Sequence, residues 1–207
     1  MENLLDYTKN NFIWIPKKEI GYYPIEHQKR DYFDIYLKLE DTTIGKKINE
    51  FRINLVNRYC NGFVLDVGIG SGIFLRKRKK CIGYDIDSKA IKYLKENDMY
   101  FDIYAHNFNN KNIIGVTFFD SFEHLKTHDI ILDKIQKQTI FISIPIFSGL
   151  DDILNSKHFK PNEHYWYFTK TGFINYMKHK KFKICEIRDD EIKLGRDNIL
   201  TFVLRKV

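Results

Sequence analysis

The sequence predicts an α/β fold: a mostly parallel sheet of seven strands, helices on both of its faces and an antiparallel last strand. Short apolar runs that suit strands alternate with helical patterns from residue 63 onward, which favours a parallel sheet covered on both sides. The first run enters a turn with glycines at 68, 70 and 72, and a helical pattern resumes directly afterwards. The last two runs, 182–188 and 198–204, are joined by a charged turn without a helix, so we expect them to pair antiparallel.

The N-terminal part of the chain has a different character. Residues 1–27 are aromatic and irregular, which is typical of an arm that packs on a domain, and this arm could also cover a ligand pocket. Apolar side chains recur at helical spacing over 28–39 and 44–59, and Asp41-Thr42 supplies a cap before the second segment. We therefore divide the chain into an arm with helices, residues 1–60, and the domain on which they pack, residues 61–207.

Within that domain, strands and helices alternate. The first helix must be short, because only a dozen residues separate Gly72 from Asp85, and Ser88 caps the next one. The predicted strands are 64–67, 81–87, 100–104, 113–119, 139–145, 182–188 and 198–204, and the later helices are 127–138 and 169–181.

Composition narrows the class of protein. The 207 residues, 43% of them hydrophobic, suffice for one substantial core, and the longest apolar runs are too short to span a bilayer. The N-terminus lacks the layout of a signal peptide, and three widely spaced cysteines suggest neither a disulfide framework nor a zinc knuckle, so we expect a cytoplasmic protein. The net charge of +7 would suit nucleic acid or another acidic partner, but the densest basic run, 76–80, is better explained as a solvated helix end.

The glycine turn and two acids predict a ligand site. Glycines allow positive φ and close backbone approach, and the following helix N-terminus offers free N–H groups. Asp66 lies two residues before the first glycine, where a carboxylate would repel a pyrophosphate but suits an ammonium group. Asp85 ends the next strand, where an acid binds ribose hydroxyls in open α/β sheets.

These residues resemble the class I S-adenosylmethionine (SAM) methyltransferases, whose pattern is an acid, a GxGxG loop and a second acid after the next strand. The segments 119–125 and 164–168 resemble the small-molecule group that includes the ubiquinone O-methyltransferases, and the likeness runs from residue 63 to the C-terminus. It implies a Rossmann-like fold and SAM as cofactor. The implied cofactor-binding residues are Asp66, Gly68, Gly70, Gly72, Asp85, Ile86, His106 and Asn107.

Candidate catalytic residues follow the fourth predicted strand. Asp120, Glu123 and His124 lie where open-sheet sites form, and they resemble a pattern with which some O-methyltransferases hold a divalent metal. Alternatively His124 is a general base, or the Glu-His pair only ends the strand with hydrogen bonds to loops. His164 precedes an aromatic segment, and 147–162 is long enough for a lid, which in the family lies over the acceptor. The candidates are therefore Glu123, His124 and His164, with a divalent metal as a further possibility.

The leading hypothesis is methyl transfer from SAM to a small molecule, at oxygen. A nucleic-acid or protein methyltransferase is favoured only by the positive charge; for DNA bases, the chain has no Asp/Asn/Ser-Pro-Pro-aromatic tetrapeptide and no Pro-Cys. An NAD-dependent dehydrogenase is disfavoured because GIGSG lacks the GxGxxG spacing and Asp66 is misplaced for a pyrophosphate. A cofactor-binding subunit without activity of its own is the remaining alternative.

Overall fold

The computed structural model describes residues 11–24 and 32–207. Its strands are β1 (Ile13–Ile15), β2 (Ile20–Tyr22), β3 (Phe63–Val67), β4 (Cys81–Tyr84), β5 (Ile113–Phe119), β6 (Thr139–Phe147), β7 (Trp166–Thr169), β8 (Phe182–Arg188) and β9 (Ile199–Lys206). Its helices are α1 (Phe33–Glu40), α2 (Thr43–Tyr59), α3 (Ile73–Lys77), α4 (Ser88–Glu96), α5 (Asp129–Leu132), α6 (Leu150–Asn155), α7 (Lys170–His179) and α8 (Asp190–Lys193).

The predicted fold class is confirmed. The described strands form one sheet in the order β1-β2-β7-β6-β5-β3-β4, in which β3, β4, β5 and β6 are parallel. β9 pairs antiparallel with β8, as predicted, and also with β6. The connection between β8 and β9 was predicted to contain no helix, but it contains the short helix α8. The predicted count of seven strands is wrong, because the described residues form nine.

One predicted strand, 100–104, is reduced to a single bridge between Gly83 and Tyr100. The carboxylate of Asp102 accepts hydrogen bonds from the amides of Tyr104 (2.8 Å) and Ala105 (3.1 Å), so these amides are turned into a local loop. Such a side-chain turn competes with strand pairing. The strand therefore ends after its first residue.

The described part of the arm, residues 11–24, extends the sheet. β1 and β2 form a hairpin, and β2 pairs antiparallel with β7, which accounts for strands that the sequence did not predict. A Cβ on Gly21 would lie 2.1 Å from Cζ of Phe12, so a larger residue at this position would force the Phe12 ring to move. The rest of the predicted arm, residues 1–10 and 25–27, lies outside the described residues.

The helices match the prediction best where a local cap exists. α2 begins after Thr42, whose hydroxyl accepts from the amide of Gly45, and α7 begins after Thr169, whose hydroxyl accepts from the amide of Gly172. The predicted helix 127–138 contracts to α5, and the cap of α4 is Asp87 instead of Ser88. Residues 28–31 of the first predicted helix lie outside the described residues, and α1 begins at Phe33.

The core lies on both faces of the sheet. Leu55 and Val56 of α2 pack in one cluster with Val64 of β3, so the helices before residue 60 share a core with the sheet. The opposite face packs against α7 through Phe173 and Met177. No helix in the described ranges is both long and apolar enough to cross a bilayer.

The basic run 76–80 is only in part a solvated helix end. Arg78 is buried and donates to the backbone carbonyls of Cys60 and Gly62 and to the side chain of Asn57. Arg76 donates to the carbonyl of Ser71 and pairs with Glu40 of α1. Two of the five charges therefore stabilise the fold.

Candidate functional site

A cavity of about 850 Å³ opens at the carboxyl ends of β3, β4 and β5. This volume lies toward the upper end of the range for ligand pockets. Its walls are the glycine turn after β3, helices α1 and α2, and the loop 162–165. No residue of the described part of the arm, 11–24, lines it.

The glycine turn has the backbone conformation that its composition predicted. Gly68, Gly70 and Gly72 have φ of 80°, 54° and 77°, in the left-handed region that favours glycine. A Cβ on Gly68 would lie 2.5 Å from Cβ of Ser121, so the backbone also passes too close to the loop after β5 for a side chain. Gly68 and Gly70 thus bring bare backbone to the cavity wall, whereas Gly72, also predicted at the cofactor, does not line the cavity.

Asp66 is a buried carboxylate at the floor of the cavity. It is 2% exposed, and the hydroxyl of Thr117 donates to Oδ1 over 2.6 Å. Burial raises the pKa of Asp66 to about 7, because it outweighs the hydrogen bond from Thr117 and the charge of Arg52. A cationic group of a ligand would relieve this unfavourable burial.

Asp85 lies at the end of β4 and also lines the cavity. Its Oδ1 accepts from the amides of Ile86 (2.7 Å) and Asp87 (2.9 Å), which fixes the orientation of the carboxylate. Burial raises the pKa of Asp85 above its ordinary value, although these amides oppose the shift. Ile86 is 65% exposed and lines the cavity beside it.

His106 and Asn107, predicted at the cofactor, do not line the cavity. The ring of His106 packs against Phe101 with centroids 5.3 Å apart, and the side chain of Asn107 caps the short 3-10 turn that follows. Tyr104 lines the cavity in this region, edge-on to Tyr84 at 5.7 Å. The loss of the strand 100–104 explains the change, because the loop displaces the residues that follow it.

Glu123, His124 and His164 come together beside the cavity, after β5. One ligand-type oxygen or nitrogen from each lies within 4.8 Å of the others. The 3-10 turn 122–124 follows β5, and the amide of Tyr165 donates to the carbonyl of Glu123 over 2.9 Å, which docks the His164 segment on that turn. His124 lines the cavity, and Glu123 and His164 are buried behind it.

Burial shifts the pKa values of all three side chains. Burial and the charge of Asp120 raise the pKa of Glu123 to about 8. Burial lowers the pKa of His124, and burial together with the neighbouring His124 lowers that of His164 well below its ordinary value. Both imidazoles are therefore neutral at pH 7.

Asp120 belongs to a different cluster from the one predicted. Arg52 donates to it over 2.7 Å, and Arg196 donates to both of its oxygens over 2.8 and 2.9 Å. Burial would raise the pKa of Asp120, but the two guanidinium groups outweigh it and hold the pKa well below its usual range. The predicted trio of Asp120, Glu123 and His124 is thus replaced by one with His164 in place of Asp120.

The lining residues that the sequence analysis missed include Tyr36, Arg52, Tyr165 and Arg196. Tyr36 faces the glycine turn, where a Cβ on Gly70 would contact its ring at 3.6 Å. Tyr165 lay in the aromatic segment already singled out, so its position could have been predicted. Arg52 and Arg196 lie in a helix and a turn without a distinguishing pattern.

Comparison with known proteins identifies the fold. No protein-family model matches the chain, and no curated protein matches it significantly. A SAM-dependent methyltransferase from Archaeoglobus fulgidus superposes with a TM-score of 0.60, at 16% identity over 85% of this chain and 100% of that chain. A second SAM-dependent methyltransferase, from Clostridium acetobutylicum ATCC 824, superposes with a TM-score of 0.58, at 14% identity over 84% of this chain and 98% of that chain.

A third similar structure is the complex between the Haloferax volcanii Trm112 methyltransferase activator and a putative methyltransferase. It gives a TM-score of 0.60, at 14% identity over 87% of this chain and 100% of that chain. The chain therefore has the class I fold of SAM-dependent methyltransferases.

Proposed function

We propose that the protein transfers a methyl group from SAM to a hydroxyl of a small molecule, as in the group that includes the ubiquinone O-methyltransferases, and that it acts in the cytoplasm. The observation that carries the proposal is the composition of the cavity. Asp66, the glycine turn and Asp85 line one part of it, and His124, with Glu123 and His164 behind it, lies at another. One cavity thus combines groups suited to the cofactor with groups suited to the acceptor.

The residues around the glycine turn fit SAM. Asp66 would hold the ammonium group of the methionine part, since a buried carboxylate gains most from a charged partner. Asp85 would accept hydrogen bonds from the ribose, and Ile86 and Tyr104 would contact the adenine. His106 and Asn107 have no place in the proposal because they lie outside the cavity lining.

On the acceptor side, His124 is positioned to take the hydroxyl proton. Its Nδ1–H donates to the carbonyl of Glu163 over 2.6 Å, so the lone pair of the neutral ring is on Nε2. When bound, SAM supplies a sulfonium methyl group: the acceptor oxygen bonds to its carbon, the carbon–sulfur bond breaks and the electron pair stays on sulfur. Tyr36 and Tyr165 line the cavity and would exclude water around a flat acceptor.

The first test is cofactor binding. SAM or its demethylated product should raise the melting temperature, and NAD should not. Asp85→Ala should weaken SAM binding by roughly 1.5–3 kcal/mol, because hydrogen bonds to the ribose are lost. Unchanged affinity in calorimetry would contradict the role of Asp85, and absence of SAM binding to the wild type would contradict the whole proposal.

The second test concerns the acceptor side. His124→Ala should lower kcat by about 100-fold, because proton transfer or positioning is lost, and should leave SAM affinity within a factor of about two. His179→Ala, which removes an exposed histidine at the end of α7, is the matched control and should keep full activity. Screening hydroxylated small molecules for radiolabelled methyl incorporation supplies the assay. Full turnover by His124→Ala would contradict the proposed role.

A nucleic-acid acceptor is the second candidate, and the charge of +7 is the observation that favours it. This candidate is weakened because Arg76 and Arg78 of the basic run donate hydrogen bonds to backbone carbonyls of the protein itself. Tight, structure-selective binding of an RNA would overturn the small-molecule acceptor. Retention on a polyanion that salt abolishes, with no selectivity, is the result we expect.

A further inference from the structure

Tyr36 lies in the middle of α1 and lines the cavity. We propose that its aromatic ring recognises the positive charge on the sulfonium group of SAM and thereby favours SAM over the demethylated product. The inference rests on the SAM binding proposed above and adds a residue that selects the charged form of the cofactor.

Both ends of α1 are anchored beside the proposed cofactor site. At its start, Oδ2 of Asp87, in the loop after β4, accepts hydrogen bonds from two backbone amides over 2.7 and 3.1 Å. At its end, Glu40 pairs with Arg76, which donates to the carbonyl of Ser71 in the glycine turn over 2.7 Å. The helix therefore runs from the loop after β4 to the glycine turn.

The ring of Tyr36 lies against the glycine turn, where the sulfur is expected. A Cβ on Gly70 would lie 3.6 Å from both Cγ and Cδ2 of Tyr36, which is van der Waals contact. In SAM, the sulfur joins the ribose to the methionine chain. With the ribose at Asp85 and the ammonium group at Asp66, the sulfur would lie between these two carboxylates, in front of the turn that follows β3.

The face of the Tyr36 ring is available to a ligand. Tyr36 is 38% exposed, and the ring nearest to it is that of Tyr32, with centroids 6.0 Å apart. Among the described residues no Lys or Arg lies over this ring, whereas Arg52 lies over the ring of Phe119 at 4.6 Å. The aromatic face of Tyr36 is thus not already occupied by a cation of the protein.

The surroundings of Tyr36 favour a positive charge. Burial raises the pKa of its hydroxyl, and the carboxyl groups of Asp120, Glu123 and Glu163 raise this pKa further. A potential that opposes a phenolate attracts a cation. Because the phenol stays neutral, its ring keeps the negative face of an aromatic quadrupole, which attracts a cation within about 6 Å of the centroid.

Methyl transfer removes the charge that the ring recognises. As the methyl carbon bonds to the acceptor oxygen, the carbon–sulfur bond breaks and its electron pair stays on sulfur, which becomes a neutral thioether. The ammonium group and the ribose are the same in both molecules, so Asp66 and Asp85 contact them alike. Tyr36 therefore loses its attraction for the product and promotes its exchange for SAM.

Calorimetry with SAM and with S-adenosylhomocysteine, the demethylated product, tests the role of the ring at pH 8, where Asp66 is ionised. The quantity compared is the dissociation constant of the product divided by that of SAM. Tyr36→Phe keeps the aromatic face and should leave this ratio within a factor of about two. Tyr36→pentafluorophenylalanine keeps the ring shape but reverses its charge distribution, and should lower the ratio about threefold or more, as should Tyr36→Leu.

Tyr104→Leu is the matched control, since it removes another tyrosine that lines the cavity. Adenine is common to both ligands, so this variant should weaken both alike and keep the ratio. A ratio unchanged by pentafluorophenylalanine, or lowered as much by Tyr36→Phe or Tyr104→Leu, would overturn the role of the Tyr36 ring. If the wild type binds neither ligand, methyl transfer itself fails; if it binds both and the ratio is the same in every variant, only the role of Tyr36 fails.

Discussion

The ionised form of Asp66 lowers the stability of the folded protein, although it is the form that a cationic ligand needs. Its pKa of about 7 in the folded protein lies above the ordinary aspartate value, because of burial. A raised pKa means that the folded state holds the proton more tightly than the unfolded state. The contribution to stability is therefore complete below about pH 4 and is lost as pH rises through 7, a loss of roughly 4 kcal/mol.

We expect Asp66→Asn to stabilise the ligand-free protein at pH 8, where the wild type carries a buried charge, and to have little effect at pH 4. Asparagine can still accept from Thr117, so the local packing is kept. Urea unfolding at the two pH values measures the difference. A destabilised Asp66→Asn protein at pH 8 would contradict this account.

The same carboxylate should make SAM binding depend on pH. An ammonium group needs the ionised form, so wild-type affinity should fall about tenfold for each pH unit below 7 and level off above it. Calorimetry across pH 5.5–8.5 checks this. Asp66→Asn should bind weakly at every pH, and a wild-type affinity that does not change with pH would show that Asp66 does not meet the ammonium group.

At the scale of elements, α1 is held over the cavity by polar contacts. None of its side chains is fully buried. Oδ2 of Asp87 accepts from the amides of Tyr32 and Phe33 at its start, and Oδ1 accepts from the first amides of α4. Glu40 at its end pairs with Arg76. Few apolar contacts and exposed hydrogen bonds mark an element of low local stability.

Asp87→Ala should therefore release α1 before it unfolds the protein. We expect a loss of about 1–2 kcal/mol in global stability and at least tenfold faster hydrogen exchange of the α1 amides. Thr169→Ala removes the cap of another helix, α7, and should lower stability without accelerating exchange in α1. Equal exchange in α1 for both variants would show that Asp87 does not hold it.

The sequence predicted best those elements whose structure is determined by residues close to them in the chain. α2 and α7 were predicted correctly because Thr42 and Thr169 cap them within three residues. The strand 100–104 failed because the carboxylate of Asp102 captures two backbone amides. β1 and β2 were missed because β1 pairs only with β2, and β2 joins the sheet through β7, which follows more than a hundred residues later.

Across the whole molecule, a buried ion cluster joins parts of the chain that lie far apart in sequence. Glu191 is fully buried and accepts from Arg52 of α2 (2.8 Å), from Arg196 before β9 (2.5 Å) and from Ser143 of β6 (3.0 Å). Both arginines also bind Asp120 after β5. The cluster thus fixes the cavity wall to the antiparallel end of the sheet.

Glu191→Gln should lower the free energy of unfolding by about 3–5 kcal/mol, because two largely buried guanidinium groups lose their fully buried counter-charge. Glu96→Gln, at the exposed pair with Lys92, should cost about 1 kcal/mol or less. Denaturant unfolding at pH 7 compares the two. Equal losses would show that the buried cluster adds no more than a surface pair.

The residues of the candidate site also differ in whether they lie close together in the sequence. Asp66, the glycines and Asp85 lie within one short stretch of chain, so their spacing alone predicted them. The arrangement of Glu123 and His124 with His164, and the capture of Asp120 by Arg52 and Arg196, depend on contacts between distant segments. No local pattern distinguishes those partners.

The pairing of Ile20 with Phe168 has a consequence for how the molecule assembles. The glycine turn is framed by β3, β4 and β5, which lie close together in the chain, whereas β7, beside His164, also pairs with a hairpin near the N-terminus. Contacts between distant segments require closure of long loops and form late in folding. During synthesis, the early hairpin must therefore wait for β7 to emerge, and the part of the cavity beside His164 should be completed after the part beside the glycine turn.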